Sequence, residues 1–314
     1  MVWPQIDTLL GGRPLTVVDA GARNGFTLLP QLHAFMNMYA FEPDTQSVDK
    51  LRKHYASAPF RNTAVLDIAL SDKSGKAKFY QTNHPSMSSL LRSDTANMRR
   101  YTGRMKDCGS WIKDIDVRAE TEVTTETLDY FAASQQISYI DFLKLDTQGS
   151  ELNILHGAAD LLRNKNIGVV YTEVMFVPMY EGQSCFTEID LWMRHCGYVL
   201  ADLRMYPEVA EYLDRSTSGR VHEKPHAGLG GDAIYIPLDK ASVKQPASIA
   251  ILLASLGYFS LAEDILQAHS LLSADETEVL FRALSKQRFG AKFKHILKRF
   301  TPPAFHYWYS RVAR

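Results

Sequence analysis

Long apolar runs, paired cysteines and an excess of one charge are all missing from this chain of 314 residues. Lys plus Arg equals Asp plus Glu at 35 each, so the overall balance points to no polyanionic partner. The three cysteines, Cys108, Cys185 and Cys196, form no CxxC pair, which fits a reduced, cytoplasmic compartment with buried thiols. MVWPQIDTLLGG lacks a basic start followed by an apolar stretch, so no signal peptide is expected. Ala247 to Ala262 runs uncharged for sixteen residues, short of the roughly 20 that a membrane span requires. It reads as a buried helix. The dinucleotide fingerprint G-x-G-x-x-G is also absent, although a glycine-bearing turn does follow the first strand.

What is present is a strand–helix alternation. LTVVDA (15–20), MYAFEP (38–43) and TAVLDIAL (63–70) read as short buried strands, with helices expected over 24–35 and 44–56. SDKSGKAKFYQT turns at Ser74-Gly75 into another strand, and a polar, irregular region runs from 83 to about 111. VTTETLDYFA leads from a strand into a helix, YIDFLKLD (139–146) is a buried strand before the helix GSELNILHGA, and NIGVVYTEVMF (166–176) is a further core strand. TEIDLWMRHCGY reads as a helix running into YVLADL, and DAIYIP would close the sheet. This order predicts an α/β protein with a doubly wound, mostly parallel sheet. Beyond Pro246 the pattern is purely helical, so the chain divides into a domain over 1–240, a helical appendage over 246–300 and a tail over 301–314.

The turn VVDAGARNG places Asp19 on the strand end with Gly21 and Gly25 four apart. An acid there would repel a pyrophosphate and suits a ligand that offers ammonium and hydroxyl groups, such as S-adenosylmethionine. The loop amides would face that ligand's carboxylate. Glu42, in AFEP, ends the second strand, where a carboxylate can accept two hydrogen bonds from a ribose diol. Asp67, beside Ile68 and Ala69, would accept from the exocyclic amine of adenine while its apolar neighbours cover the ring. Three acids at successive strand ends favour a methyl donor over a dinucleotide.

Five ordered blocks, VVDAGARNG, YAFEPD, IALSDKSGKAKFY, TLDYF and DFLKLDTQGSELNILHGA, resemble the FkbM-type methyltransferases. TEV and GYVLADL extend the likeness, which covers about residues 14–237. The resemblance implies the seven-stranded, Rossmann-like sheet of class I methyltransferases and S-adenosylmethionine-dependent methylation, mostly of hydroxyl groups. It assigns Asp19, Gly21, Ala22 and Gly25 to the methionine part of the cofactor, Glu42 to the ribose and Asp67 with Ile68 to the adenine. Asp146 would border the point of methyl transfer. Arg23 stands where the family loop often has Asn, and Gln148 where a Glu often precedes the Gly of the fourth-strand motif. If relatives use that Glu as a base, this chain uses another group or has lost activity, and Arg23 and Gln148 are the ground for a non-catalytic reading.

Methyl transfer to an alcohol needs alignment and a route for the departing proton. Asp146 and Glu173, at the ends of adjacent strands, are the catalytic candidates, joined by His222 on the Gly-rich loop VHEKPHAGLGGD, which also carries His226. Glu151 stabilises the start of its helix on one reading, and Ser88-Ser89 lines the site or caps a helix. No metal ligand set is assigned. Residues 286–314 hold eight of the Lys and Arg and no Asp or Glu, leaving 27 basic against 35 acidic residues before them. With Phe289, Phe293, Ile296, Leu297 and Phe300 on one helical stripe, this segment packs on the appendage or a second subunit, or touches an anionic membrane surface. The expected protein is therefore cytoplasmic, peripheral at the membrane if the tail engages it. A small-molecule or glycan acceptor is expected and no nucleic acid, since no basic stripe crosses the catalytic domain. Two other readings are a non-catalytic methyltransferase-fold domain that binds a glycan or partner, and a nicotinamide-dependent sugar oxidoreductase or epimerase.

Overall fold

Valine-rich LTVVDA becomes β1 (Leu15–Ala20), buried at every position but Thr16, as suits a strand covered on both faces. The computed structural model describes residues 3–102, 108–206, 229–239 and 243–285. Contacts divide the chain into two units, the larger comprising residues 14–28 and 33–245. Within it β1 pairs in parallel with β2 (Met36–Phe41) on one side and β7 (Ile140–Leu145) on the other. β3 (Asn62–Leu66) and β8 (Ile167–Met175) extend the parallel array. β10 (Gly230–Pro237) inserts antiparallel between β8 and β9 (Tyr198–Met205). The resulting seven-stranded order is β3-β2-β1-β7-β8-β10-β9. Strand order reverses between β1 and β7, so the loops leaving those strands open a crevice at their carboxyl ends.

The flanking helices follow from apolar spacing and caps. In α2 (Thr45–Tyr55) the buried Val48, Leu51 and Tyr55 recur on one face, and the Asp44 carboxylate accepts from the Ser47 N–H. Thr127 caps α5 (Leu128–Ser134) in the same way. One apolar core joins Val18, Leu143 and Val170 of the sheet to Phe131, Leu155 and Met193 from the helices. Each such side chain contributes about 1.5–3 kcal/mol on burial.

Three local expectations are corrected. No α-helix forms over 24–35. Leu29 has φ 54° and Pro30 follows, so the segment turns and closes only as a 3₁₀ helix over Pro30–Phe35. The expected single strand 63–70 breaks after Leu66. Ala69–Leu70 is a separate strand, β4, that pairs with β6 (Val117–Glu126) in a second sheet, where β5 (Gly75–Thr82) also pairs with β6. The region 83–111 is not irregular: it contains α3 (Thr95–Thr102), whose start is held by Asp94 accepting from the Asn97 N–H, and the beginning of α4 (Cys108–Ile115).

The smaller unit comprises residues 1–13, 29–32 and the chain from 246 onward. Its helices include α1 (Trp3–Leu10), α9 (Pro246–Leu256) and α10 (Phe259–Ala268), with further helix over 274–285. The uncharged stretch forms two helices rather than one. Gly257, at φ 98°, ends α9, with its N–H donating to Ala254 and that of Tyr258 to Leu253. Among the described residues no helix is long and apolar enough to cross a membrane. The stripe and tail of 286–314 lie outside the described residues.

Candidate active site

The turn after β1 is shaped by close approach of two strands' loops. Gly21 has φ 80°, and a Cβ there would sit 1.9 Å from the carbonyl oxygen of Asp146, so no side chain fits. Gly25, φ 77°, supplies the second left-handed residue. The N–H groups of Gly21 and Ala22 both donate to the Phe41 carbonyl at 3.1 Å, and that of Gly25 to Ala22 at 2.7 Å. These three amides are therefore committed to the loop, contrary to the expectation that they face a ligand. Their work is to tie the loop to the end of β2.

The loop walls an open cleft at the switch point. Gly21, Arg23, Glu42, Asp146 and Gln148 line it together with Leu70, Phe79, Ser88 and Ser89. Asp19 lies in the layer beneath. It is 1% exposed and pairs with Lys144, its register partner on β7, at 3.1 Å. Lys144 also reaches Asp146 at 3.4 Å. Burial opposes the charge on Lys144, but Asp19 and Asp146 outweigh it and hold the ammonium above its ordinary range. Burial pushes the Asp19 carboxyl up, against the pull of Lys144. The second oxygen of Asp19, Oδ2, is buried with no hydrogen-bond partner. Two carboxylates around one ammonium leave this end of the cleft with a net negative charge.

Glu42 is 4% exposed and accepts from the Asp44 N–H at 2.9 Å. Burial pushes its carboxyl up to about 7, with that hydrogen bond and Arg23 opposing the shift. Arg23 pairs with Asp44 at 3.2 Å on the wall of the cleft. The residue that departs from the usual family loop thus remains part of this site's charge arrangement.

Of the residues expected to hold the cofactor, Gly21, Glu42 and Asp146 line the cleft, Asp19 lies under it, and Ala22 and Gly25 shape its loop. Asp67 and Ile68 are not brought there. Asp67 is exposed beyond β3 and borders a neighbouring cleft with Thr45 and Gln81, while Ile68 packs on the apolar core. The break between β3 and β4 turns them aside.

A second polar cluster continues from Asp146 along the sheet end. Gln148, at φ 60°, donates through Nε2 to Asp146 Oδ1 at 3.0 Å and to Glu173 Oε2 at 3.2 Å. It therefore joins the two carboxylates singled out as catalytic. Burial, then Asp146 and Glu151, push the Glu173 carboxyl well above the usual range. Glu151 accepts from the Thr147 N–H at 2.7 Å and the Gly149 N–H at 3.0 Å, a structural task at the loop entering α6 (Glu151–His156). Tyr206 and Asp232 extend the cluster, with the Tyr206 hydroxyl 3.1 Å from a carboxylate oxygen of Glu173 and of Asp232. Neither stood out in the sequence. The signal that finds them is strand register, which places Asp232 opposite Glu173. His222 and His226 lie outside the described residues. Among the described residues no group of three or more His, Cys, Asp or Glu is arranged to hold a metal.

Comparison with known proteins gives this cleft a context. The family model for the methyltransferase FkbM domain matches residues 19–200, more than half of the chain. The 2-O-methyltransferase NoeI of Sinorhizobium fredii (strain NBRC 101917 / NGR234) is 24% identical over 187 residues, covering 57% of this chain and 71% of its own. Among solved structures, methyltransferase FkbM from Methylobacillus flagellatus KT is similar at a TM-score of 0.41 and 13% identity, over 71% of this chain and 43% of that chain. This chain thus spans less than half the length of that structure. Magnesium protoporphyrin IX methyltransferase from Synechocystis PCC 6803 is similar at 0.35 and 11% identity, over 75% of this chain and 77% of that one.

Proposed function

Because the chain belongs to the FkbM family of S-adenosylmethionine-dependent methyltransferases, we propose that it transfers the methyl group to a hydroxyl of a small molecule or glycan. The observation that carries this reading is the cleft at the strand-order reversal, with Glu42 and Asp146 on its walls. The donor set fits the methyl donor's groups. Glu42 would accept from the ribose hydroxyls, and Asp146 from the methionine ammonium. The unpartnered Asp19 oxygen beneath adds negative potential at the same end, which favours a cationic ligand. When bound, S-adenosylmethionine supplies an electrophilic methyl group on a sulfonium.

The chain's own part is alignment and proton removal. Asp146 and Glu173 are bridged by the Gln148 amide, which donates to both. A neutral side chain at that position lets two acids share one site without a third negative charge between them. Burial, Asp146 and Glu151 hold the Glu173 carboxyl well above its ordinary range, which favours its protonated form. The relative named as a 2-O-methyltransferase supports oxygen as the accepting atom. Family membership displaces the nicotinamide reading. The non-catalytic reading rested on Arg23 and Gln148, and both side chains are engaged in the site's polar contacts.

The test is methyl transfer to a panel of methyl glycosides, followed by release of S-adenosylhomocysteine and mass spectrometry of products. An alkali-stable methyl ether supports the proposal. Transfer only to amine or carbon acceptors overturns it.

A further inference from the structure

Two carboxyl groups face each other where β8 and β10 meet. Glu173 and Asp232 are register partners, a placement at which two like charges repel. Between them stands the Tyr206 hydroxyl, 3.1 Å from Glu173 Oε1 and 3.1 Å from Asp232 Oδ1. A phenol has one proton to donate. It can satisfy one carboxylate, so the second short contact calls for a proton on the other acid.

The surroundings decide which acid holds it. Asp232 Oδ2 accepts from the Tyr171 hydroxyl at 2.6 Å, and Arg204 is its register partner on β9. Burial and then Asp146 push the Asp232 carboxyl up, but the hydroxyls of Tyr171 and Tyr206 and the Arg204 charge oppose that shift and favour its ionised form. Glu173 is faced by Asp146 and Gln148 from the loop after β7, by Glu151 from α6 and by Tyr180 from the segment after β8. None of these groups brings a positive charge. Hence the proton lies on Glu173, which donates to the Tyr206 oxygen, and Tyr206 donates to Asp232. The Gln148 amide meets the opposite oxygen of Glu173 at 3.2 Å.

We propose that Glu173, Tyr206 and Asp232 form a relay for the proton of the acceptor hydroxyl, with Asp232 as its final receiver. The proposal rests on the hydroxyl-methylation reading above. With the acceptor seated against Glu173, which is part-exposed and adjoins the cleft through Gln148, the acceptor oxygen bonds to the methyl carbon, the carbon–sulfur pair stays on sulfur and the hydroxyl proton passes to Glu173 Oε2. The proton already on Glu173 leaves Oε1 for Tyr206 Oη, and the Tyr206 proton moves to Asp232 Oδ1. The positive charge of the donor and the negative charge of Asp232 disappear together. Tyr206 and Asp232 act through Glu173 and are positioning residues. A hydrogen-bonded chain of this kind answers how an acid held in its neutral form can still take up a proton.

Infrared difference spectroscopy of the full chain, without acceptor, reads the resting proton directly. The expected result is a protonated-carboxyl band near neutral pH that is lost in Glu173→Gln and displaced in Tyr206→Phe and Asp232→Asn. Neither Tyr206 nor Asp232 lines the donor cleft, so in Tyr206→Phe and Asp232→Asn titration with S-adenosylmethionine serves as the folding control and should change less than about twofold. With methyl glycosides as acceptors, Tyr206→Phe and Asp232→Asn should lower kcat about 10²-fold at unchanged KM for the donor. Absence of the band in the wild type, or a band indifferent to Tyr206→Phe, overturns the relay even if a methyl ether forms. Failure to methylate any hydroxyl while the band is present overturns the reading beneath it, and the relay's catalytic role with it.

Discussion

Glu42 shows how burial converts an ordinary side chain into a pH-sensitive one. Its carboxyl sits at about 7 because desolvation outweighs the Asp44 amide and the Arg23 charge. A ribose diol binds best to the ionised form, which accepts twice. Affinity for S-adenosylmethionine should therefore fall as pH drops through about 7, and Glu42→Gln should flatten that dependence; titration calorimetry from pH 8 to pH 6 checks it. The stability sign is opposite to that of a salt-bridged carboxylate. A folded-state value above the unfolded one means stability is lost as pH rises from the ordinary carboxylate range through about 7. Gly21 makes the complementary case, in which geometry alone dictates the residue. Gly21→Ala would place Cβ 1.9 Å from a backbone oxygen at a positive φ, and should cost about 2–5 kcal/mol in urea unfolding. Glu42 and Asp146 were legible because each ends a buried strand with an acid. Tyr206 and Asp232 were not, because their meeting depends on β10 inserting antiparallel beside β8, which no local pattern records.

At the scale of elements, the strands that build the switch point could be read because they are short apolar runs stopped by Gly, Pro or an acid. β1, β7 and β8 lie where valine and leucine cluster, and each is buried along nearly its whole length. The misread elements have specific causes. Pro30 after a left-handed Leu29 defeats a helical apolar spacing over 24–35. TAVLDIAL looks like one strand, yet its last two residues pair with β6 in another sheet, and this carries Asp67 and Ile68 away from the cleft. α3 was hidden by its polar composition, although Asp94 caps it. The cap of α2 has a double role, since Asp44 accepts from Ser47 and also pairs with Arg23. Asp44→Ala should cost about 1 kcal/mol, a fall of roughly 2–4 °C in Tm. It should also alter donor affinity by freeing Arg23, whereas Asp49→Ala on the exposed face of α2 should change neither; thermal melts with calorimetry separate the two variants.

Across the whole molecule, a sheet whose order reverses between β1 and β7 brings residues distant in sequence to one cleft. Glu42 from the end of β2, Gly21 from the first turn and Asp146 from the end of β7 meet there because parallel strands point their carboxyl ends the same way. Family membership makes S-adenosylmethionine the donor, and this cleft is its proposed seat. The most direct measurement is calorimetric titration of wild type and Glu42→Ala with S-adenosylmethionine, with NAD as the control ligand. The account predicts micromolar binding by the wild type, about tenfold or greater weakening in Glu42→Ala, and no heat with NAD. Equal affinity in the two proteins would contradict the assignment of this cleft.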